Sequence, residues 1–462
     1  MMNKESKNIT RRDFIKIMTA AGVTTAGLAA CETKEEKTVT KKEKGSMTFR
    51  KNETTGDNVS LLGFGMMRLP TIEPEDKESN EEKAIDQEEV NRLVDHAIAN
   101  GVNYFDTAPV YCRGLSERAT GIALKRHPRE KVFIATKLSN FSEEMWTKEA
   151  TIAMYHNSMK ELQTDYIDYL LLHSLGRNAE NTQKRFIDNG VIDYMLEERK
   201  AGRVRNLGFS FHGDKENFDM LMEMHEKYHW DFVQIQMNYV DWKYATKQNK
   251  RNTDAEYLYE ELAKRNIPVV IMEPLLGGRL ANVPDAVVKM MKEHDPEASV
   301  ASWAFRFTGT YPKVLNVLSG MTRMEHLEDN INTFSPLVPL NDSEQEMLQK
   351  AAEIMTTVNN VPCTACQYCM PCPYGVDIPG IFTHHNKCLN EGEIATNSQD
   401  ENYKKARRKY LINYDRRVEP LRQANHCIGC GKCVEHCPQN IKIPRELRHI
   451  DEYVENLKQG KL

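Results

Sequence analysis

Eight of the eleven cysteines in this 462-residue chain fall in two tight runs near its C-terminus. They are Cys363-x2-Cys366-x2-Cys369-x2-Cys372-Pro373 and Cys427-x2-Cys430-x2-Cys433-x3-Cys437-Pro438. A thiolate is a soft anionic ligand, and repeated C-x2-C steps bring several of them to one centre from a short stretch of chain. Ligation explains that clustering better than a disulfide framework does. Paired C-x2-C units also build tetrahedral zinc sites. Three successive steps in each run, each closed by Cys-Pro, suit an iron–sulfur cube better, so the eight residues predict two [4Fe-4S] clusters. Cys31, Cys112 and Cys388 remain. Nothing in the sequence lowers the pKa of Cys112, and no role is assigned to it. Cys388, near His384 and His385, is expected to be a spare thiol in an exposed linker.

A second group lies far upstream. Asp106 and Tyr111 stand in Val-Asn-Tyr-Phe-Asp-Thr-Ala-Pro-Val-Tyr, Lys137 ends Phe-Ile-Ala-Thr-Lys, and His173 ends Leu-Leu-Leu-His. A tyrosine hydroxyl has a reference pKa of about 10 and is a poor acid at neutral pH. An ammonium at Lys137, itself held by Asp106, would favour the phenolate and make Tyr111 a better proton donor and acceptor. His173 would orient or polarise a carbonyl. This is the chemistry of carbonyl reduction or alcohol oxidation. Taken singly, each residue is as readily a structural hydrogen-bonding group.

The elements that would position them alternate between short apolar runs and longer amphipathic stretches, the pattern of βα units around a parallel sheet. Strands are expected at 59–64, 102–105, 132–136, 166–172, 206–210, 232–236, 269–272 and 314–318. Eight strands predict a closed (β/α)8 barrel, in which all four residues face the C-terminal rim, where barrel enzymes do their chemistry. Residues 86–100, with Val90, Leu93, Val94, Ala97 and Ile98 at helical spacing before Gly101, read as a barrel helix. Residues 48–58 read as a hairpin over the N-terminal end of the barrel, 73–82 as an acidic loop near the other rim, and 343–359 as the last helix. The barrel is expected over 48–360 and the cysteine-rich domain over 361–462. Between the two runs, 403–417 reads as a basic helix with a solvated face, or one that docks an acidic redox protein.

Residues 48–360 resemble the aldo/keto reductase family. The match carries Asp-Thr-Ala-x-x-Tyr at Asp106, Gly114-x-Ser116-Glu117, Lys137, Leu-Leu-His at His173, Gly208-Phe-Ser210, Gln-Ile-Gln-Met-Asn from Gln234, Glu273-Pro-Leu275 and Asp329-Asn330. The resemblance implies a nicotinamide cofactor and a catalytic tetrad of Asp106, Tyr111, Lys137 and His173, with Tyr111 as general acid/base. It also places Ser210 and Gln234 at the nicotinamide amide, and Leu275, Gly277, Asp329 and Asn330 along the rest of the cofactor. Phe211 departs from the asparagine often found after that serine. In Gly320-Met321-Thr322-Arg323, Arg323 is the candidate for an adenosine 2'-phosphate, so NADP and NAD both stay open. The cysteine runs resemble two-cluster bacterial ferredoxins, although the first is one residue shorter before its last cysteine. By that analogy Cys363, Cys366, Cys369 and Cys437 bind one cluster, and Cys372, Cys427, Cys430 and Cys433 the other.

The net charge is −5, from 62 basic and 67 acidic residues. That balance excludes the basic excess of a nucleic-acid binder and points to small molecules or proteins as partners. At the N-terminus, Thr10-Arg11-Arg12-Asp13-Phe14 precedes an apolar stretch too short to span a bilayer, resembling a twin-arginine export signal. Leu28-Ala29-Ala30-Cys31 resembles a lipobox that would lipidate Cys31, giving a signal over 1–31, a charged tether over 32–47, and membrane attachment only through the lipid. The reading is an exported, lipid-anchored oxidoreductase that keeps a tightly bound nicotinamide and exchanges electrons with an external redox partner through its clusters. A cytoplasmic location and an electron-transfer or partner-binding protein whose barrel does not turn over are the alternatives.

Overall fold

The structure is a computed structural model that describes residues 45–72 and 84–462. The signal segment, Cys31, nearly all of the tether and the acidic loop at 73–82 lie outside the described residues. Among the described residues no helix is long and apolar enough to cross a membrane.

A short antiparallel hairpin comes first, β1 (Phe49–Lys51) with β2 (Asn58–Ser60). Eight parallel strands then follow in chain order: β3 (Leu62–Gly65), β4 (Tyr104–Asp106), β5 (Phe133–Leu138), β6 (Ile167–Leu175), β7 (Val204–Phe211), β8 (Phe232–Gln236), β9 (Val269–Met272) and β10 (Val314–Ser319). They close into a barrel in which β10 pairs with both β9 and β3. All nine residues of β6 are buried, as a parallel strand covered on both faces requires. Inside the barrel, Tyr104, Ala135, Tyr169, Leu171, Phe232, Val270 and Leu315 form a packed core rather than a pore.

The run expected as one strand at 59–64 is two elements. Asn103 ties down the corner: its side chain accepts from the Ser60 amide at 2.8 Å and its own amide donates to Ser60 Oγ at 3.0 Å. The chain thus leaves the hairpin at Ser60 before entering the barrel at Leu62. Arg50 donates to the carbonyls of Gly309 and Tyr311, at 2.5 Å each, and of Val314. These lie ahead of and at the start of β10, so the hairpin covers the N-terminal end of the barrel.

The helix Gln87–Ala99 is capped by Asp86, whose side chain accepts from the Glu89 amide. The helix Asp342–Thr357 opens on a capping box between Asn341 and Glu344. The barrel core runs to Met355, and a separate core begins at Val361. That second core is built by the helices Ile378–Asn390, Tyr403–Arg417 and Ile443–Gln459. Cys388 is a correction: it is buried in this core with its sulfur 3.7 Å from His384 Nε2, not exposed in a linker. The stretch between the two runs folds because Ala406, Tyr410 and Tyr414 give the basic helix an apolar face that packs against its neighbours.

Candidate active site and cysteine cradles

Three strand ends and the turn beyond the first of them meet at the C-terminal rim. Asp106 ends β4, Lys137 and His173 lie in the last part of β5 and β6, and Tyr111 opens a tight turn after β4. That turn holds Cys112 and Arg113 at φ of 49° and 56°. Lys137 Nζ donates to Asp106 Oδ1 at 2.6 Å and to the Thr107 carbonyl at 2.8 Å. The ammonium lies 4.9 Å from the Tyr111 ring centroid, and the Tyr111 and His173 rings meet edge to face at 5.9 Å. Cys112 points its thiol at the Met67 carbonyl, 3.4 Å away.

All four residues are buried, and burial dominates their acid–base behaviour. It raises Asp106 and lowers Lys137, each opposed by the attraction between them. Burial pushes Tyr111 well above its ordinary value, and neighbouring Tyr368 and Asp106 add to the rise. The expected lowering of Tyr111 by Lys137 is therefore outweighed, and the phenol is protonated at neutral pH. His173 is driven far down by burial and then by Lys137 and Arg185, so its imidazole is neutral. Its Nδ1 meets Ser139 Oγ at 2.6 Å, fixing the ring. Glu117, the motif carboxylate, accepts from Thr136 Oγ1 at 2.5 Å and is pushed up to about 7 by burial.

Tyr368, from the first cysteine run, completes the pocket. Its hydroxyl is 3.4 Å from His173 Nε2, and its ring packs against Phe141 at 6.0 Å. Phe141 also contacts His173 at 4.9 Å and is itself 39% exposed, so an apolar ring connects the buried imidazole to the surface. The sequence offers no sign of this contact beyond an aromatic residue between two cysteines.

The residues expected around a dinucleotide are divided. Gln234 has a buried Oε1 with no hydrogen-bond partner, which a carboxamide would satisfy. Ser210 Oγ, in contrast, already accepts from the Ser174 amide at 2.8 Å. Asn330 donates to Ser319 Oγ at 2.9 Å, and Asp329 accepts from Ser299 Oγ at 2.7 Å. Arg323 is exposed. Leu275 and Gly277 line the turn after β9, but a Cβ at Gly277 would stand 2.3 Å from Thr364 Cα. Arg68, after β3, donates to the carbonyls of Thr364 and Ala365 at 2.5 and 3.2 Å. The nicotinamide end retains a fitting acceptor, Thr364 closes on the turn after β9 at Gly277, and Gly278 beside it faces open space.

Cys363, Cys366, Cys369 and Cys437 line one small cavity together with Ile378, Phe382 and Ile441. Burial pushes Cys363 up to about 12 and Cys366 up to about 11, and other thiols of the set add to the rise. Such a cradle resists isolated thiolates and suits them once cationic iron shares their charge. Cys433, by contrast, is influenced by Cys427, Cys372 and Cys430. Cys437 thus lies beside the first run and Cys372 beside Cys433, which also acts on Cys369. Among the described residues no three His, Cys, Asp or Glu side chains converge on a single ion.

Residues 61–353 match the family model described as "Aldo/keto reductase family", and 362–441 match "4Fe-4S dicluster domain". An uncharacterized oxidoreductase of Bacillus subtilis is 26% identical over 62% of this chain and 90% of its own length. L-galactose dehydrogenase of Arabidopsis thaliana is 22% identical over 66% and 94%. Among solved structures, an aldo-keto reductase from Bacillus halodurans in its holo form superposes with a TM-score of 0.52 at 23% identity, covering 66% of this chain and 96% of that one. One from Klebsiella pneumoniae, in complex with NADP and acetate, gives 0.51 at 22% identity, covering 66% and 95%.

Proposed function

Since the chain belongs to the aldo/keto reductase family and carries a 4Fe-4S dicluster domain behind the barrel, we propose that it interconverts a carbonyl and an alcohol with Tyr111 as general acid/base. One observation carries the reading: Asp106, Lys137, Tyr111 and His173 meet at one rim, with Lys137 fixed 2.6 Å from Asp106. In the reducing direction the carbonyl takes up two electrons, drawn ultimately from the external redox partner, and two protons; Tyr111 enters protonated and gives the proton that reaches the substrate oxygen, the other coming from solvent. Lys137 then faces the phenolate and stabilises it. Neutral His173, held by Ser139 through Nδ1, meets the Tyr368 hydroxyl through Nε2, and the substrate oxygen would take that hydroxyl's place. Phe141 and the Tyr368 ring form the apolar wall along which a substrate reaches the pocket.

In the same proposal Cys363, Cys366, Cys369 and Cys437 hold one [4Fe-4S] cluster and Cys372, Cys427, Cys430 and Cys433 a second. Such clusters, when bound, pass electrons singly to and from an external redox protein. In the same proposal the arginine pair and Cys31 would direct the protein to a lipid anchor outside the cytoplasm; fractionation with labelled lipid tests this, and an unlabelled protein in the cytoplasmic fraction would favour the alternative.

The deciding variant is Tyr111→Phe. It should lower carbonyl turnover by roughly 10²- to 10⁴-fold, the usual worth of a positioned acid/base, with iron and sulfide content unchanged. Full turnover in that variant would sink the assignment and favour a barrel that serves only electron transfer.

A further inference from the structure

The two glycine turns that a barrel enzyme uses for phosphate groups follow its seventh and eighth strands. Here they are Gly277-Gly278 after β9 and Gly320 after β10. Gly277 and Gly278 have φ of 69° and 94°, and the Gly278 amide donates to the Leu275 carbonyl at 2.9 Å. Gly278 faces open space, but Gly277 beside it and Gly320 do not. A Cβ at Gly277 would meet Thr364 Cα, O and C at 2.3, 2.5 and 2.6 Å. A Cβ at Gly320 would meet the Arg68 side chain at 3.3 Å. Arg68 is held at its other end by the Thr364 and Ala365 carbonyls, and Thr322 Oγ1 donates to the Arg68 carbonyl at 2.8 Å. Thr364 itself is only 2% exposed.

Four residues further on, Tyr368 brings its hydroxyl to His173 Nε2. The segment Cys363–Cys369 therefore runs from the phosphate turns to the catalytic histidine, the course a dinucleotide would take from its pyrophosphate to its nicotinamide.

We propose that this segment is a built-in occupant of the dinucleotide groove, so that the protein with its cysteine-rich domain docked binds neither NADP nor NAD. The inference rests on the family reading of the rim given above. Arg68 is the latch at one end and Tyr368 the plug at the other. A dinucleotide could enter only as the segment leaves, and its apparent affinity falls by the fraction of molecules in which the groove is free.

The test is equilibrium dialysis of NADP+ and NAD+ against anaerobically purified, full-length protein whose iron and sulfide content has been verified. Acid extracts are assayed in parallel for nucleotide carried through purification. Neither saturable binding nor co-purified nucleotide is expected from the wild type. Arg68→Ala and Tyr368→Ala, which free the two ends of the segment, should gain binding. If the free groove is populated at about 1% in the wild type, the gain is about 100-fold.

Stoichiometric nucleotide in the extract, or wild-type binding as tight as in the variants, overturns the proposal. So does absence of binding in wild type and in cluster-loaded variants alike, since the segment would then not be the cause. Should the variants lose their clusters, Arg68→Lys, which keeps the charge but loses the forked contact, takes their place with the same expected gain in direction. Binding is read without turnover, so a protein that reduces no carbonyl still reports on the groove.

Discussion

Lys137 and Asp106 are both buried and answer to each other, and this sets what substitution there will do. Removing one partner strands the other charge in the rim, at a cost of roughly 3–5 kcal/mol. Lys137→Met should therefore lower the denaturation midpoint well beyond the loss of one hydrogen bond, and the double variant with Asp106→Leu should recover part of it; a midpoint unaltered in the single variant would contradict the paired burial. Glu117 gives a pH dependence. Its pKa is pushed from 4.5 up to about 7 in the fold, so the native state holds a proton that the unfolded chain releases sooner. Its stabilising contribution is complete below pH ~4.5 and is lost as pH rises to ~7, a change of roughly 3 kcal/mol by linkage. Glu117→Gln should flatten the stability profile across that window, as read from urea midpoints at a series of pH values.

At the scale of elements, β9 occupies the stretch where uninterrupted apolar residues put it, Val269–Met272, and β8 fills Phe232–Gln236, where Gln234 and Gln236 interrupt the apolar run. A strand covered on both faces leaves that mark in sequence. β4 is shorter and shifted, Tyr104–Asp106, because Val102 is buried ahead of the ladder rather than in it. The single apolar run through Val59 and Phe64 concealed a corner, since only the reciprocal bonds between Ser60 and Asn103 reveal it. Likewise, the four rim residues are legible because each stands at or just past a strand end. Tyr368, Thr364 and Arg68 are not, because their meeting depends on how one lobe docks on another. The hairpin supplies a test at this scale. Arg50→Ala leaves three carbonyls near the start of β10 without their donor, which should cost roughly 2–4 kcal/mol and appear as a lower thermal midpoint with the tetrad chemistry intact.

Across the whole molecule, the cysteine-rich lobe caps the barrel mouth through contacts spread around its rim. Arg177 donates to the Glu435 carbonyl at 3.0 Å, Gln439 to Gln236 at 3.1 Å, Asn249 to the Gln439 carbonyl at 2.9 Å, and Asn390 to the Asn282 carbonyl at 2.8 Å. Under the proposed ligand sets, Cys437→Ser should disturb the electron paramagnetic resonance signal of the centre on the first run, and Cys430→Ser that of the centre on the second. Matching changes from Cys437→Ser and Cys430→Ser would refute the exchange of ligands between runs. The placement of Cys437 beside the first run also has a bearing on biosynthesis. A ribosome that has released the barrel and the first three cysteines has not yet supplied the fourth wall of their cavity, which arrives only with the final helix-bearing stretch. Under the proposed ligand sets, metal loading of that cavity would be deferred until translation is nearly complete, and a truncated product would keep its barrel yet never acquire a finished mouth.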